Sequence, residues 1–139
     1  MRRIEGAPKV SGALVFTEDM DLPGLAHVQL VLSYVASGNL AAIRTEAAAG
    51  APGVIAVVTG ADLGLTDDHP DQPMAARRVF YAGQPVAAVV ATSAAAAGDA
   101  AALVEVEYDP MPAVLGVRPA VAEGAPRVLP EQTDEAGEA

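Results

Sequence analysis

Three groups of side chains in this chain carry reactive potential, and each has a plainer explanation. Asp67, Asp68, His69 and Asp71 fall within one short segment, and carboxylates with an imidazole are ligand types that divalent cations accept. Their spacing fits no metal-binding loop and no glycine occupies a turn position inside it, so a solvated acidic loop is the preferred reading. Glu105, Glu107 and Asp109 alternate along a second segment. On one strand face they would lie close enough for like charges to raise a carboxyl pKa for acid–base work. A wet strand face accounts for the same alternation and is preferred. His27 lies in an apolar run and reads as a packed histidine rather than a general base.

Gly83-Gln84-Pro85 has a different character. A turn that offers backbone amides and a carboxamide beside a central strand suits contact with another domain, because hydrogen bonds there fix register without charge. The alternative is a tight strand connection and nothing more. Arrangements for a Ser, Cys or Thr nucleophile, a glycine-rich phosphate loop and an HExxH helix are all missing from the sequence. No catalytic, cofactor-binding or metal-ligating residue is therefore assigned, and Gly83, Gln84 and Pro85 form the one candidate partner-docking turn.

The elements that hold these residues follow from local pattern. Pro85 cannot donate to a ladder and belongs at the first position of a strand over 86–92, whose Val and Ala residues are apolar on both faces and suit the interior of a sheet. Ser93 offers an N-cap oxygen to an alanine-rich helix over 94–102, somewhat weakened by Gly98. From 104 the period becomes two, with Val104, Val106 and Tyr108 on a dry face and Glu105, Glu107 and Asp109 on a wet one. This predicts that Val86, Val89 and Val90 pack against the helix. Upstream, residues 1–9 read as loose, 13–16 as a short strand, 25–35 as a long apolar strand and 54–59 as another. Residues 64–73 form a loop rich in Asp and Pro, and a short helical piece is predicted around 117–122.

Composition sets outer bounds. At 139 residues the chain fits one domain with a single core, over 1–128, followed by an acidic tail at 129–139 with the composition of a disordered segment. The net charge of -10 opposes nucleic acid and anionic membranes as partners. Without cysteine there is no disulfide, thiolate zinc site or cysteine-held iron–sulfur cluster. No signal peptide or membrane-spanning run is evident, and a cytoplasmic location is the simplest expectation.

Tyr81-Ala82-Gly83-Gln84-Pro85-Val86-Ala87, the alanine-rich helix and the run from Val104 through Asp109-Pro110-Met111-Pro112 to Val114 together resemble the first domain of the molybdenum hydroxylase large subunits. These are the xanthine dehydrogenase, aldehyde oxidase and carbon monoxide dehydrogenase relatives, and the domain is the α/β hammerhead. Lys9-Val10-Ser11-Gly12-Ala13, Asp21-Leu22-Pro23-Gly24-Leu25-Ala26-His27 and Ala51-Pro52-Gly53-Val54-Ile55-Ala56-Val57-Val58-Thr59 follow the family's order. The resemblance implies an α+β fold of twisted mixed β-sheets with one main helix and short extra helices. Where alanine spacing at 40–49 suggests a helix, it implies a strand near 40–44 and a short helix after Thr45.

It also implies an oxidoreductase context in which molybdopterin and the catalytic glutamate belong to later domains. This chain would then bind no cofactor alone and act as a structural or docking piece for a cofactor-binding partner chain. A free-standing binding or scaffold protein is the alternative. Leu32-Ser33-Tyr34-Val35-Ala36-Ser37 stands where relatives usually read Arg-Ser-Pro-His-Ala-His, which implies that this contact region has changed its role. A metal-dependent hydrolase using the acidic loop is the weakest reading.

Overall fold

The computed structural model describes residues 3–129, apart from Asp21, Asp67 and the side chain of Glu18. Residues 130–139, and with them the expectation for the acidic tail, lie outside the described residues. Two three-stranded sheets make up the architecture. In the first, β5 (Pro85–Ala91) runs between β1 (His27–Leu32) and β3 (Val54–Thr59). In the second, β2 (Gly38–Arg44) runs between β4 (Arg78–Val79) and β6 (Glu105–Pro110). Odd-numbered strands thus belong to one sheet and even-numbered strands to the other, so the chain changes sheet at every connection.

Pro85 opens β5, where its missing N–H costs the ladder nothing, and the Val/Ala run behind it takes the central place predicted for it. Ser93 then caps α3 (Ala94–Ala101), its Oγ accepting the Ala96 N–H at 3.2 Å. α3 and the short α2 (Glu46–Ala49) cover one face of the first sheet, where Ala48, Val89 and Ala100 are buried against Val31, Val54 and Val57. A second cluster, Ala75, Val79 and Val86 with Val35, Leu40, Ile43, Val106 and Tyr108, joins the two sheets. The expected single core is therefore two small clusters that meet at Val31. Gly60 lets the chain leaving β3 pass the loop before β4, since a Cβ there would run into the Ala75 carbonyl.

Several expectations need correction. Every strand pairing is antiparallel, so the sheets are not mixed. Residues 13–16 form no strand, because the Ala13 and Leu14 amides both bond to the Pro8 carbonyl and the Phe16 amide to Asp19 Oδ2, leaving no ladder to join. Part of the segment read as loose is α1 (Gly6–Val10), with a Glu5–Lys9 ion pair of 3.0 Å one turn apart. The apolar run over 25–35 is a strand only as far as Leu32. There the Ser33 hydroxyl takes the Val35 amide at 3.1 Å and turns the chain locally.

Of the three valines, only Val89 packs under α3. Adjacent strand residues face opposite ways, so Val90 lies half-buried on the other side, and Val86 enters the cluster between the sheets. A short α4 (Val117–Ala120) follows β6. No helix among the described residues is long and apolar enough to cross a membrane.

Val86→Ala and Val89→Ala each remove fully buried methyls and are expected to cost about 1–3 kcal/mol in urea melts. Val90→Ala should cost less than either, and Glu105→Gln and Glu107→Gln on the solvated strand face least of all. Glu variants as damaging as Val86→Ala would show that the sheet order is wrong.

Asp62 closes the turn after β3, its Oδ2 accepting the Thr59 amide at 2.8 Å and the Thr59 hydroxyl at 2.7 Å. The Thr59 hydroxyl, and then its amide, hold the Asp62 carboxyl below the ordinary carboxylate value. A depressed folded pKa stabilises above the unfolded value of about 3.9, and this contribution fades as pH falls through the lower folded value. Asp62→Asn should therefore reduce stability at neutral pH, with the difference from wild type shrinking below about pH 4.

Candidate functional site

The Gly83-Gln84-Pro85 turn lies where the two sheets meet, between the end of β4 and the start of β5. Gly83 supplies a φ of +93°, a conformation that residues with a Cβ rarely adopt. Gln84 is fully buried, with the Phe80 N–H donating to its Oε1 at 2.7 Å. Ser33, just past β1, grips the same turn from the neighbouring strand of the first sheet. Gly83 N–H donates to the Ser33 carbonyl at 2.7 Å and Ser33 N–H donates to the Gln84 carbonyl at 2.9 Å. The Ala75 N–H completes the clasp on the Pro85 carbonyl at 2.8 Å.

The carboxamide expected at the surface is therefore turned inward, and only Tyr81, Ala82 and Gly83 stay exposed. Gln84 Nε2 is buried with no hydrogen-bond partner among the described residues. Beside the turn, Arg78, Phe80 and Tyr81 face the Pro112–Leu115 stretch across a cleft of about 230 Å³. The Arg78 guanidinium lies over the Phe80 ring at 4.8 Å, a cation–π contact.

The other sequence candidates are engaged in structural work. Asp68 accepts the Arg77 and Arg78 amides at 3.0 and 3.1 Å and the Arg77 Nε at 3.1 Å, tying the acidic loop to β4. His69 Nδ1 accepts the Asp71 amide at 3.2 Å, and Asp67 lies outside the described residues. Glu107 and Glu105 meet the Arg44 guanidinium at 2.7 and 3.5 Å, and the hydrogen bond that Arg44 donates to Glu107 is the first cause of its raised pKa. Those carboxylates neutralise a cation across β2 and β6 and form no acid–base pair. Burial pushes the Tyr108 phenol up, and its ring meets Tyr34 edge-on at 5.0 Å. His27 is half-buried at the start of β1, opposite Ala91.

What sequence reasoning missed is a surface. One face of the first sheet lies under the helices, and the register places Val28, Leu30 and Leu32 of β1 on the other face with Ala88 and Val90 of β5 and Ala56 and Val58 of β3. Val28, Leu30 and Leu32 are 60%, 43% and 50% exposed, and the other four are half-buried. None of these seven positions is polar. The signal was present as an apolar strand pattern, but pattern reports dryness and says nothing of what provides it.

A match to the family model for the aldehyde oxidase and xanthine dehydrogenase a/b hammerhead domain runs over residues 11–112. The chain belongs to this family. It is 33% identical over 133 residues to the carbon monoxide dehydrogenase large chain of Afipia carboxidovorans, covering 90% of this chain and 16% of that one. To the xanthine dehydrogenase molybdenum-binding subunit of Escherichia coli O157:H7 it is 30% identical over 138 residues, covering 88% of this chain and 18% of the relative. Among solved structures, quinoline 2-oxidoreductase from Pseudomonas putida 86 superposes with a TM-score of 0.80 at 33% identity, over 92% of this chain and 18% of that chain. The hammerhead chain thus spans about one-sixth of the length of the curated relatives it matches.

Relatives are molybdenum enzymes by name, and the described side chains of this chain do not fit that metal as ligands. Among the described residues no group of three or more His, Cys, Asp or Glu side chains converges on one point. The buried Ser33 hydroxyl and Gln84 Oε1 are both spent on the hammerhead's own backbone.

Because Asp68 holds the loop to β4, Asp68→Asn is expected to lower the melting temperature by the same amount with chelator or with millimolar calcium, magnesium or zinc. A saturable, metal-dependent stabilisation of the wild type that Asp68→Asn abolishes would favour a metal site instead.

Proposed function

We propose that this chain is a non-catalytic structural and docking domain of a molybdopterin-dependent hydroxylase large subunit. It completes its packing against the cofactor-bearing remainder of such a subunit, whether that remainder lies on the same polypeptide or on a partner chain. The observation that carries the reading is the distribution of apolar side chains. Among the described residues ten apolar side chains are buried, six of them alanines. Against them stand twenty exposed large apolar residues, including Ile4, Val10 and Phe16 before β1 and Leu115, Val117 and Val121 after β6. Scattered surface leucines need no explanation, but so many exposed large apolar side chains around so small a core, three of them side by side on one sheet face at Val28, Leu30 and Leu32, favour a partner.

The relatives support the same direction, since five-sixths of their length lies outside the matched region. Chemistry in such an assembly, hydroxylation of a heterocycle or aldehyde or oxidation of carbon monoxide, is assigned to that remainder. A second reading, a free-standing binding or scaffold protein, draws support from the 32–37 segment. There Ser33 serves the internal clasp, while Tyr34 is 78% exposed.

Expressed alone in a host without a molybdenum hydroxylase, the chain is expected to purify colourless, without stoichiometric molybdenum or iron. It should show no turnover of aldehydes or purines with an artificial electron acceptor. Stoichiometric molybdenum by elemental analysis, or turnover above buffer, would overturn the reading.

A further inference from the structure

We propose that the open face of the first sheet, which carries Leu30, is the surface on which the cofactor-bearing remainder of a molybdenum hydroxylase large subunit seats. This inference rests on the function proposed above and adds the place of contact. The molecule contains its own control for a sheet face made for water. On the second sheet Arg44, Glu105 and Glu107 form an exposed charged array across β2 and β6. The solvent side of an antiparallel sheet normally alternates to polar residues in this way. On the open face of the first sheet the same strand positions carry Val28, Leu30, Leu32, Ala88, Val90 and Val58. The seat contains no side chain able to pair a charge, so its occupant presents an apolar surface.

Two features favour the large-subunit remainder over a second copy of this chain. Three strands about 4.8 Å apart, each contributing five residues at about 3.4 Å, span roughly 240 Å². A stable specific complex buries about 800 Å² on each partner. The face alone is too small for a free dimer, whereas an occupant in the same polypeptide, or one also held by the apolar segments before β1 and after β6, gains from a high effective concentration. A net charge of -10 on each copy would also oppose self-association through this face.

The test places a photoreactive side chain at Leu30 and, separately, at Glu107 in the full-length protein expressed in its native cells, with cross-linked peptides identified by mass spectrometry. The expected result is a cross-link from Leu30, within one polypeptide or between two, to sequence of a molybdenum hydroxylase large subunit beyond the hammerhead, and none from Glu107. A large-subunit cross-link from Glu107 alone would overturn the assigned face and leave the proposed function standing. Cross-links from Leu30 to a second copy or an unrelated protein, or no cross-link at all, would overturn the proposal. As a second measurement, Val28→Thr combined with Leu30→Gln is expected to leave the melting temperature within about 2 °C of wild type while molybdenum co-purifying with the tagged chain falls at least tenfold. Unchanged co-purification with an unchanged melt would likewise overturn it.

Discussion

The hydrogen bond from the Phe80 amide to the buried Gln84 carboxamide holds together a place where two sheets must join without a shared strand. Inward, the Gln84 Oε1 satisfies the part-buried Phe80 N–H, while its Nε2 is enclosed without a hydrogen-bond partner among the described residues. Around it, Ser33 fixes the end of β1 and the Ala75 amide fixes the loop before β4. Chain segments from both sheets thus meet at one residue. The Val31, Val79 and Val86 side chains then fill the space that this junction leaves.

A limited core follows from the same layout. Alanines at 48, 97 and 100 let α2 and α3 lie close to the first sheet, which makes a tight layer but buries little area per residue. At roughly 25 cal/mol per Å², such a layer stabilises less than one of leucines or phenylalanines would. The large apolar side chains lie instead on the open sheet face and in the segments flanking the strands, where solvent reaches them.

Much of the fold was legible because its signals are local. Pro85 at a strand start, Ser93 at a helix start and the strict alternation from Val104 to Asp109 each bias the backbone of their own neighbourhood, and the structure follows them. The strand near Leu40 and the helix after Thr45 came from family resemblance, since alanine spacing there favours helix. The inward orientation of Gln84 was not legible, because a carboxamide is at home in water or against backbone and only the tertiary position of Phe80 decides. The strand expected at residues 13–16 failed for the converse reason. Its composition suits a strand, but its amides found the Pro8 carbonyl and the Asp19 carboxylate closer than any ladder.

The alternation of strands between the sheets bears on how the chain leaves the ribosome. The first sheet has its centre in β5, which is synthesised after both of its neighbours, so β1 and β3 emerge as apolar strands with nothing to pair with. The second sheet has the opposite schedule: β2, its centre, emerges first of its three strands, yet β6 comes last of all six. Neither sheet can close until the stretch around Gln84 has been made, and the nascent chain must keep two unpaired strands from associating with other chains during that interval.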